Sequence, residues 1–186
     1  MSPRTTISES LVDMKPTAST FEPEITAFYC IYCGYMAADT AGALQVQYPA
    51  NVKFVRLPCS GKTDIRYLLE AFEQGADAVY LVACPIGNCH HVRGNERARA
   101  RVERARKLLD EIGLGGERLD IFYMSGSQAH AFALAAQTMT ERVRALGPSP
   151  LRAEGLESPV GFQSDFEPDD EAGFRGRRGP KPKVDY

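Results

Sequence analysis

Four short apolar runs, each followed by a helix-like stretch, limit this chain to very few folds. Ile25-Thr26-Ala27-Phe28-Tyr29 reads as a buried strand, and the Ala-rich stretch from Tyr35 to Gln45 reads as a helix that Tyr48-Pro49 ends. Val52 to Leu57 is a second strand. Thr63 or Asp64 can cap a helix that runs to about Gln74, with Leu68, Leu69 and Phe72 on one face and Gly75 as its stop. Ala78 to Ala83 is apolar throughout, as a central parallel strand should be. Asn95 can cap a long helix to about Ile112, striped by Val102, Leu108 and Leu109, and Gly113 to Gly116 breaks it. Leu119 to Met124 is the fourth strand, and Gln128 to Leu146 is a closing helix stopped by Gly147-Pro148. The alternation βαβαβαβα predicts an α/β domain: a four-stranded parallel sheet with helices on both faces, flavodoxin-like or half-Rossmann. Strand order stays open.

All five cysteines lie inside this repeat: Cys30, Cys33, Cys59, Cys84 and Cys89. Cys30 follows strand 1, Cys59 comes two residues after strand 2, and Cys84 follows strand 3. In an open α/β sheet the ligand crevice lies beyond the carboxyl ends of the strands. Three successive strands therefore deliver thiols to one edge of the sheet, and Cys33 and Cys89, expected in the adjoining loops, share it.

Convergent thiols bind zinc or iron–sulfur clusters, or carry redox chemistry. A structural zinc usually rescues a small or loop-rich fold, and this fold has a core of its own. An iron–sulfur cluster is the stronger reading. Tyr29, Tyr32, Tyr35 and Ile86 are expected to shield it, and backbone N–H groups at the following helix starts to stabilise its negative charge. Four thiolates suffice for a 2Fe-2S centre, which leaves one of the five spare and unnamed. His90 and His91 are expected to be solvated loop residues rather than ligands. Two alternatives remain: a thioredoxin-like dithiol oxidoreductase using Cys30 and Cys33, and a zinc-bound structural adaptor. The first leaves three cysteines unexplained.

Composition narrows the partners and the compartment. Lys and Arg total 22 against 24 acids, a balance that gives no support for nucleic-acid binding. No apolar run approaches the length of a transmembrane helix, and the amino-terminal residues lack a secretory apolar stretch. An odd number of cysteines without such a signal points to a reducing, cytoplasmic setting. Nine of the 12 prolines lie before residue 25 or after residue 146. The expected organisation is thus a flexible arm over 1–24, an iron–sulfur α/β domain over 25–146, and a Pro/Gly-rich charged extension over 147–186. That extension, acidic from Glu154 to Glu171 and basic from Arg175 to Lys183, is expected to be disordered or to order along a partner.

Other features weigh less. Ser60-Gly61-Lys62-Thr63 lacks the upstream glycine of a phosphate loop and reads as a turn with a helix cap. The basic stretch from Arg93 to Lys107 is a solvated helix face or a docking surface, and His130 a packing residue of the last helix. Catalytic constellations are not evident, so the chain is expected to transfer electrons without a substrate site of its own.

Three stretches carry a resemblance to a known family: FYCIYCGYMAADTAG from Phe28, QYPANVKFVRLPCSG from Gln47, and LVACPIGNCHHVRGN from Leu81. Together they resemble the small iron–sulfur (delta) subunit of methyl-viologen-reducing hydrogenase, over about Ile25 to Leu146. The resemblance implies a 2Fe-2S cluster held by four of Cys30, Cys33, Cys59, Cys84 and Cys89. It also implies electron relay between a hydrogenase, formate dehydrogenase or other oxidoreductase and the flavin-containing subunit of a heterodisulfide-reductase-like complex. Several such complexes carry out flavin-based electron bifurcation in anaerobic metabolism. Family members often place a Trp or another aromatic inside the CxxC, and here Tyr32 stands there. Both Pro-rich extensions lie outside the matched region.

Overall fold

A computed structural model describes residues 21–153. Strands β1 (Ile25–Cys30), β2 (Val52–Leu57), β3 (Ala78–Ala83) and β4 (Leu119–Tyr123) form one sheet in the order β2-β1-β3-β4. Every pairing is parallel. Helices α1 (Cys33–Ala43), α2 (Ile65–Glu73), α3 (Gly94–Glu111) and α4 (Ala129–Leu146) make the crossovers and close the repeat, and one turn of helix, α5 (Pro150–Ala153), follows. The expected α/β class, four parallel strands and helices on both faces are all present.

Alternation along the strands builds two cores. Ile25, Ala27, Tyr80 and Val82 face Ala37, Ala41, Phe132, Ala136 and Met139 of α1 and α4. Phe28, Val79 and Leu81 face Leu68, Phe72, Val102 and Leu109 of α2 and α3. β3 is buried at every position, because it has a strand on each side and helices above and below. After β2 the chain passes back over β1 to begin β3, so the strand order reverses between β1 and β3. Crevices open at such switch points, beyond the carboxyl ends of the strands.

Several expected boundaries move. α1 begins at Cys33, so this cysteine lies in the first helical turn and not in a loop. Cys30 is the last residue of β1 rather than the residue after it. α3 begins at Gly94, with Arg93 at the cap position and no side-chain cap bond, so Asn95 is not the cap. Its side chain bonds the preceding loop instead. Asp64 does cap α2, its carboxylate accepting from the Arg66 N–H at 3.0 Å.

At the opposite, amino-end rim of the sheet, the carboxylate of fully buried Asp77 gathers the ends of the described chain. It accepts from the N–H groups of Glu24 and Ser149, both at 2.8 Å, and from Arg152 at 2.7 Å. Arg118 donates to the carbonyls of Asp77, Gly147 and Pro148. Residues 1–20 and 154–186, which include most of the expected arm and extension, lie outside the described residues. Among the described residues no helix is long and apolar enough to cross a membrane.

Candidate metal centre

The switch point is where the thiols meet. Cys30 ends β1 and Cys84 follows β3, its neighbour in the sheet, so their Sγ atoms stand 3.8 Å apart. Cys33, the first residue of α1, lies beside Cys84. Cys59 follows the edge strand β2, and its Sγ and that of Cys89, from within the loop between β3 and α3, both lie against Gly94. The sulfurs thus gather round two points, Cys30 and Cys33 round Cys84, and Cys59 with Cys89 beside Gly94, and Cys30 is near enough to Cys59 to link them. Among the described residues no three His, Cys, Asp or Glu side chains surround a common point as a single bound ion requires.

Backbone N–H groups aim at the sulfurs. Gly34, in the first turn of α1, donates to Cys30 Sγ at 3.4 Å, and Gly61 donates to Cys59 Sγ at 3.4 Å. His91, Asn95 and Gly94 direct their N–H groups at Cys89, and His90 directs its own at Cys84. Burial pushes the Cys30 and Cys59 thiols up. Burial, and after it the adjacent Cys33, pushes Cys84 up to about 11. At Cys89 burial acts the same way but is outweighed by the three N–H donors and Cys59, so this thiol falls below the ordinary range.

Glycine allows the loops to close round the sulfurs. A β-carbon on Gly61 would stand 2.6 Å from the Gly94 Cα, so only two glycines let the Cys59 turn sit on the start of α3. Two groups that sequence reasoning missed hold these loops. The Asn95 amide donates to the carbonyls of Cys84 and Pro85 at 3.0 and 2.7 Å, and Arg101 Nη1 to those of Gly61 and Thr63 at 2.7 and 3.0 Å. Their only signal was a polar residue at an inward position of α3, which periodicity reads as noise. Of the other bases in this stretch, Arg93, Arg99 and Arg106 pair with Glu96, Glu103 and Asp120.

These residues fit a sulfur-ligated cluster. Five thiols and a ring of N–H donors suit a negative, thiolate-rich group, and sulfurs gathered round two points suit one that spans more than one metal. The hydroxyls of Ser60 and Thr63, on the turn after Cys59, are buried with no partner in the protein. Such orphans usually cost about 1–3 kcal/mol, and they are readily understood beside a group that accepts hydrogen bonds. The dithiol reading fares worse. Cys30 and Cys33 both turn to Cys84, and the all-parallel sheet lacks the hairpin of a thioredoxin-like domain.

The expected aromatic shield is only partly there. Tyr32 lies over the loop, stacked on His90 with centroids 3.9 Å apart, and both His90 and His91 are exposed as expected. Tyr35 and Ile86 are 42% and 52% exposed, so they do not form a lid, and Ile31, Met36 and Val92 on the same segments are exposed too. His130 is likewise exposed on α4 and packs in no core.

The sequence pattern of the methyl-viologen-reducing hydrogenase delta subunit family matches residues 25–147. The chain belongs to this family. It is 52% identical over 133 residues to the iron-sulfur subunit of the vhu F420-non-reducing hydrogenase of Methanocaldococcus jannaschii, a span of 72% of this chain and 99% of that protein. The protein of the same name from Methanococcus maripaludis is 49% identical over 132 residues, 71% of this chain and 98% of its own length. A similar unit occurs within a longer protein, one of the subunits of the ferredoxin/F420H2-dependent CoB-CoM heterodisulfide reductase of Methanosarcina acetivorans. There the identity is 32% over 126 residues, 68% of this chain and 16% of that protein.

Proposed function

We propose that this chain is an electron-transfer subunit holding one 2Fe-2S cluster at the switch point between β1 and β3, with four of Cys30, Cys33, Cys59, Cys84 and Cys89 as ligands. The observation that carries this reading is the convergence of five thiols from three strand ends, ringed by N–H donors. Bound there, the cluster would supply one-electron redox chemistry. The chain's own part is to hold thiolates in place, to donate N–H bonds to the sulfurs, and to keep water from the inner side, where Cys30 and Cys84 are nearly fully buried.

Electrons would pass between a hydrogenase, formate dehydrogenase or other oxidoreductase and the flavin subunit of a heterodisulfide-reductase-like complex, in cytoplasmic, anaerobic metabolism. Two facts support these partners. Related proteins are named as hydrogenase subunits, and a similar unit is built into a protein named as part of a heterodisulfide reductase. In that relative the similar unit and the rest of the reductase subunit share one polypeptide, which is the arrangement expected of units that exchange electrons. Ile31, Tyr35, Met36, Ile86 and Val92 are exposed on the segments that carry Cys30, Cys33, Cys84 and Cys89, and would supply an apolar docking face. Val92, 77% exposed, also holds a left-handed φ of 62°, a strained state for a β-branched residue of the kind kept at functional sites. Electron bifurcation by the whole assembly is the further consequence of this placement.

Anaerobic purification tests the cluster. About two iron and two acid-labile sulfide per chain are expected. A colourless protein with only zinc bound would favour the adaptor reading and overturn this one.

A further inference from the structure

Two connections carry four of the five thiols, and they are held very differently. The short one runs from Cys30, the end of β1, through Ile31 and Tyr32 to Cys33, the start of α1. It is fixed at both ends. The Ile31 N–H donates to the Leu57 carbonyl of β2, and the Tyr32 carbonyl accepts from the Met36 N–H of α1, both at 2.9 Å. The long one leaves β3 at Cys84 and reaches α3 past Cys89. Asn95 holds its start by the Cys84 and Pro85 carbonyls. Beyond Pro85 it bonds to itself, Asn88 N–H to the Pro85 carbonyl and Val92 N–H to that of Cys89, both at 2.9 Å. Every residue from Ile86 to Arg93 is exposed except Cys89, which is half-buried. Among the described residues, no hydrogen bond apart from the thiol contacts joins the two connections. An exposed loop bonded mainly to itself opens readily.

Aromatic rings supply the missing link. The Tyr32 ring lies on that of His90, with centroids 3.9 Å apart and planes 23° from parallel. His91 meets both rings edge-on, 5.6 Å from Tyr32 and 5.3 Å from His90. The stack thus crosses from the fixed connection to the exposed one. It lands on a residue whose backbone N–H is aimed at the Cys84 sulfur, so whatever holds the His90 ring also holds a donor to that thiol.

We propose that Tyr32 is a positioning residue: by stacking on His90 it clasps the β3–α3 loop to the start of α1 and keeps the His90 N–H on Cys84. The clasp is a property of the chain itself and needs no metal. Its effect on a reduction potential rests on the cluster reading above. An N–H donor on a ligating sulfur favours the more negative, reduced form, so loosening the clasp should lower the potential. Phenylalanine keeps the stacking face and loses only the hydroxyl, so it should serve in place of Tyr32.

The first measurement uses the metal-free full chain. Amide exchange at position 90, relative to the intrinsic rate, should quicken about threefold to tenfold in Tyr32→Ser and in His90→Ser, the range that one aromatic pair supplies. The double variant should quicken no more than either single one, because both rings act through one contact. Tyr32→Phe should match the natural protein. Unchanged β3 exchange reports an intact fold; if β3 also quickens in Tyr32→Ser, the His90 variant, altered on an exposed loop, decides. The second measurement is a redox titration of the anaerobically loaded protein. Both serine variants should titrate at a more negative potential, and Tyr32→Phe at the natural one. Natural exchange in the serine variants, additive effects in the double variant, or failure of phenylalanine to substitute overturns the clasp. Quickened exchange with an unchanged potential overturns its hold on Cys84. A natural chain that takes up no iron overturns the cluster reading instead, and the exchange result then decides the clasp alone.

Discussion

Gly94 backs directly onto Cys59: a β-carbon at position 94 would stand 2.5 Å from the Cys59 Sγ and 3.0 Å from that of Cys89. Two thiols are thus placed by a residue that has no side chain. Gly94→Ala forces both sulfurs or the α3 start to shift, an overpacking cost of about 1–3 kcal/mol. The expected result is a chain that folds with a lower melting temperature and retains well under half of the natural iron and sulfide. Full cluster content in the alanine variant would show that the sulfurs tolerate the displacement.

The thiol contacts predict an ordered response to single cysteine replacements. Each iron of a 2Fe-2S centre takes two thiolates, and the placement of the sulfurs favours Cys59 with Cys89, which share Gly94, and Cys84 with Cys30 or Cys33. Cys59→Ala, Cys84→Ala and Cys89→Ala should each abolish the visible absorption. One of Cys30→Ala and Cys33→Ala should keep it. Loss of colour in all five variants would call for a fifth essential ligand.

Thiol reactivity in the metal-free chain should follow the local environment. The Cys89 thiol is held below the ordinary value and Cys84 is pushed up to about 11, so at pH 8 a far larger fraction of Cys89 is thiolate. Iodoacetamide with peptide mapping should label Cys89 well before Cys84, and the rate at Cys84 should climb until about pH 11. The same shift bears on stability. Cys84 binds its proton more tightly folded than unfolded, so this contribution is complete below about pH 9 and fades as pH rises towards 11. Equal labelling rates at neutral pH would contradict the inferred role of the N–H donors around Cys89.

Ser60 carries a buried hydroxyl without a partner on the turn that follows Cys59. If it donates to the cluster or to a ligating sulfur, it favours the more negative, reduced form. Ser60→Ala should then lower the reduction potential by on the order of 40 mV, the equivalent of about 1 kcal/mol for one electron, with iron content unchanged. A redox titration followed by electron paramagnetic resonance reads this directly, and an unchanged potential would remove Ser60 from the cluster's surroundings.

Asp77 ties the residues before β1 to those after α4 through three hydrogen bonds that its fully buried carboxylate accepts. Asp77→Ala leaves buried donors unmet and should cost about 3 kcal/mol, measured by denaturant unfolding. Cluster content under native conditions should change little, because the network lies at the opposite end of the strands from the thiols.

Much of this architecture was legible in the order of residues. Period and punctuation gave away four strands and four helices, since burying one face of each element demands them, and the position of each cysteine relative to a strand end placed it at one edge. The resemblance of the Cys30, Cys59 and Cys84 segments to the delta subunit family agreed with the matched span. The residues that hold the site were not legible. Asn95 looked like a helix cap and Arg101 like one charge on a solvated face, because both bond to backbone carbonyls distant in sequence, which carry no residue-specific mark.

The sequence by itself determined the class of fold, the number of parallel strands and the set of thiols, because these follow from local periodicity and from where a strand must end. Only the tertiary structure decided the strand order β2-β1-β3-β4, and with it that Cys30 and Cys84, 54 residues apart, become neighbours at the switch point. It also decided that the Gly61 and Gly94 backbones touch, that Asp77 gathers both ends of the described chain, and that Tyr32 stacks on His90. Each depends on which elements pack together, and packing is settled by the shape and burial of whole faces rather than by any short run of residues.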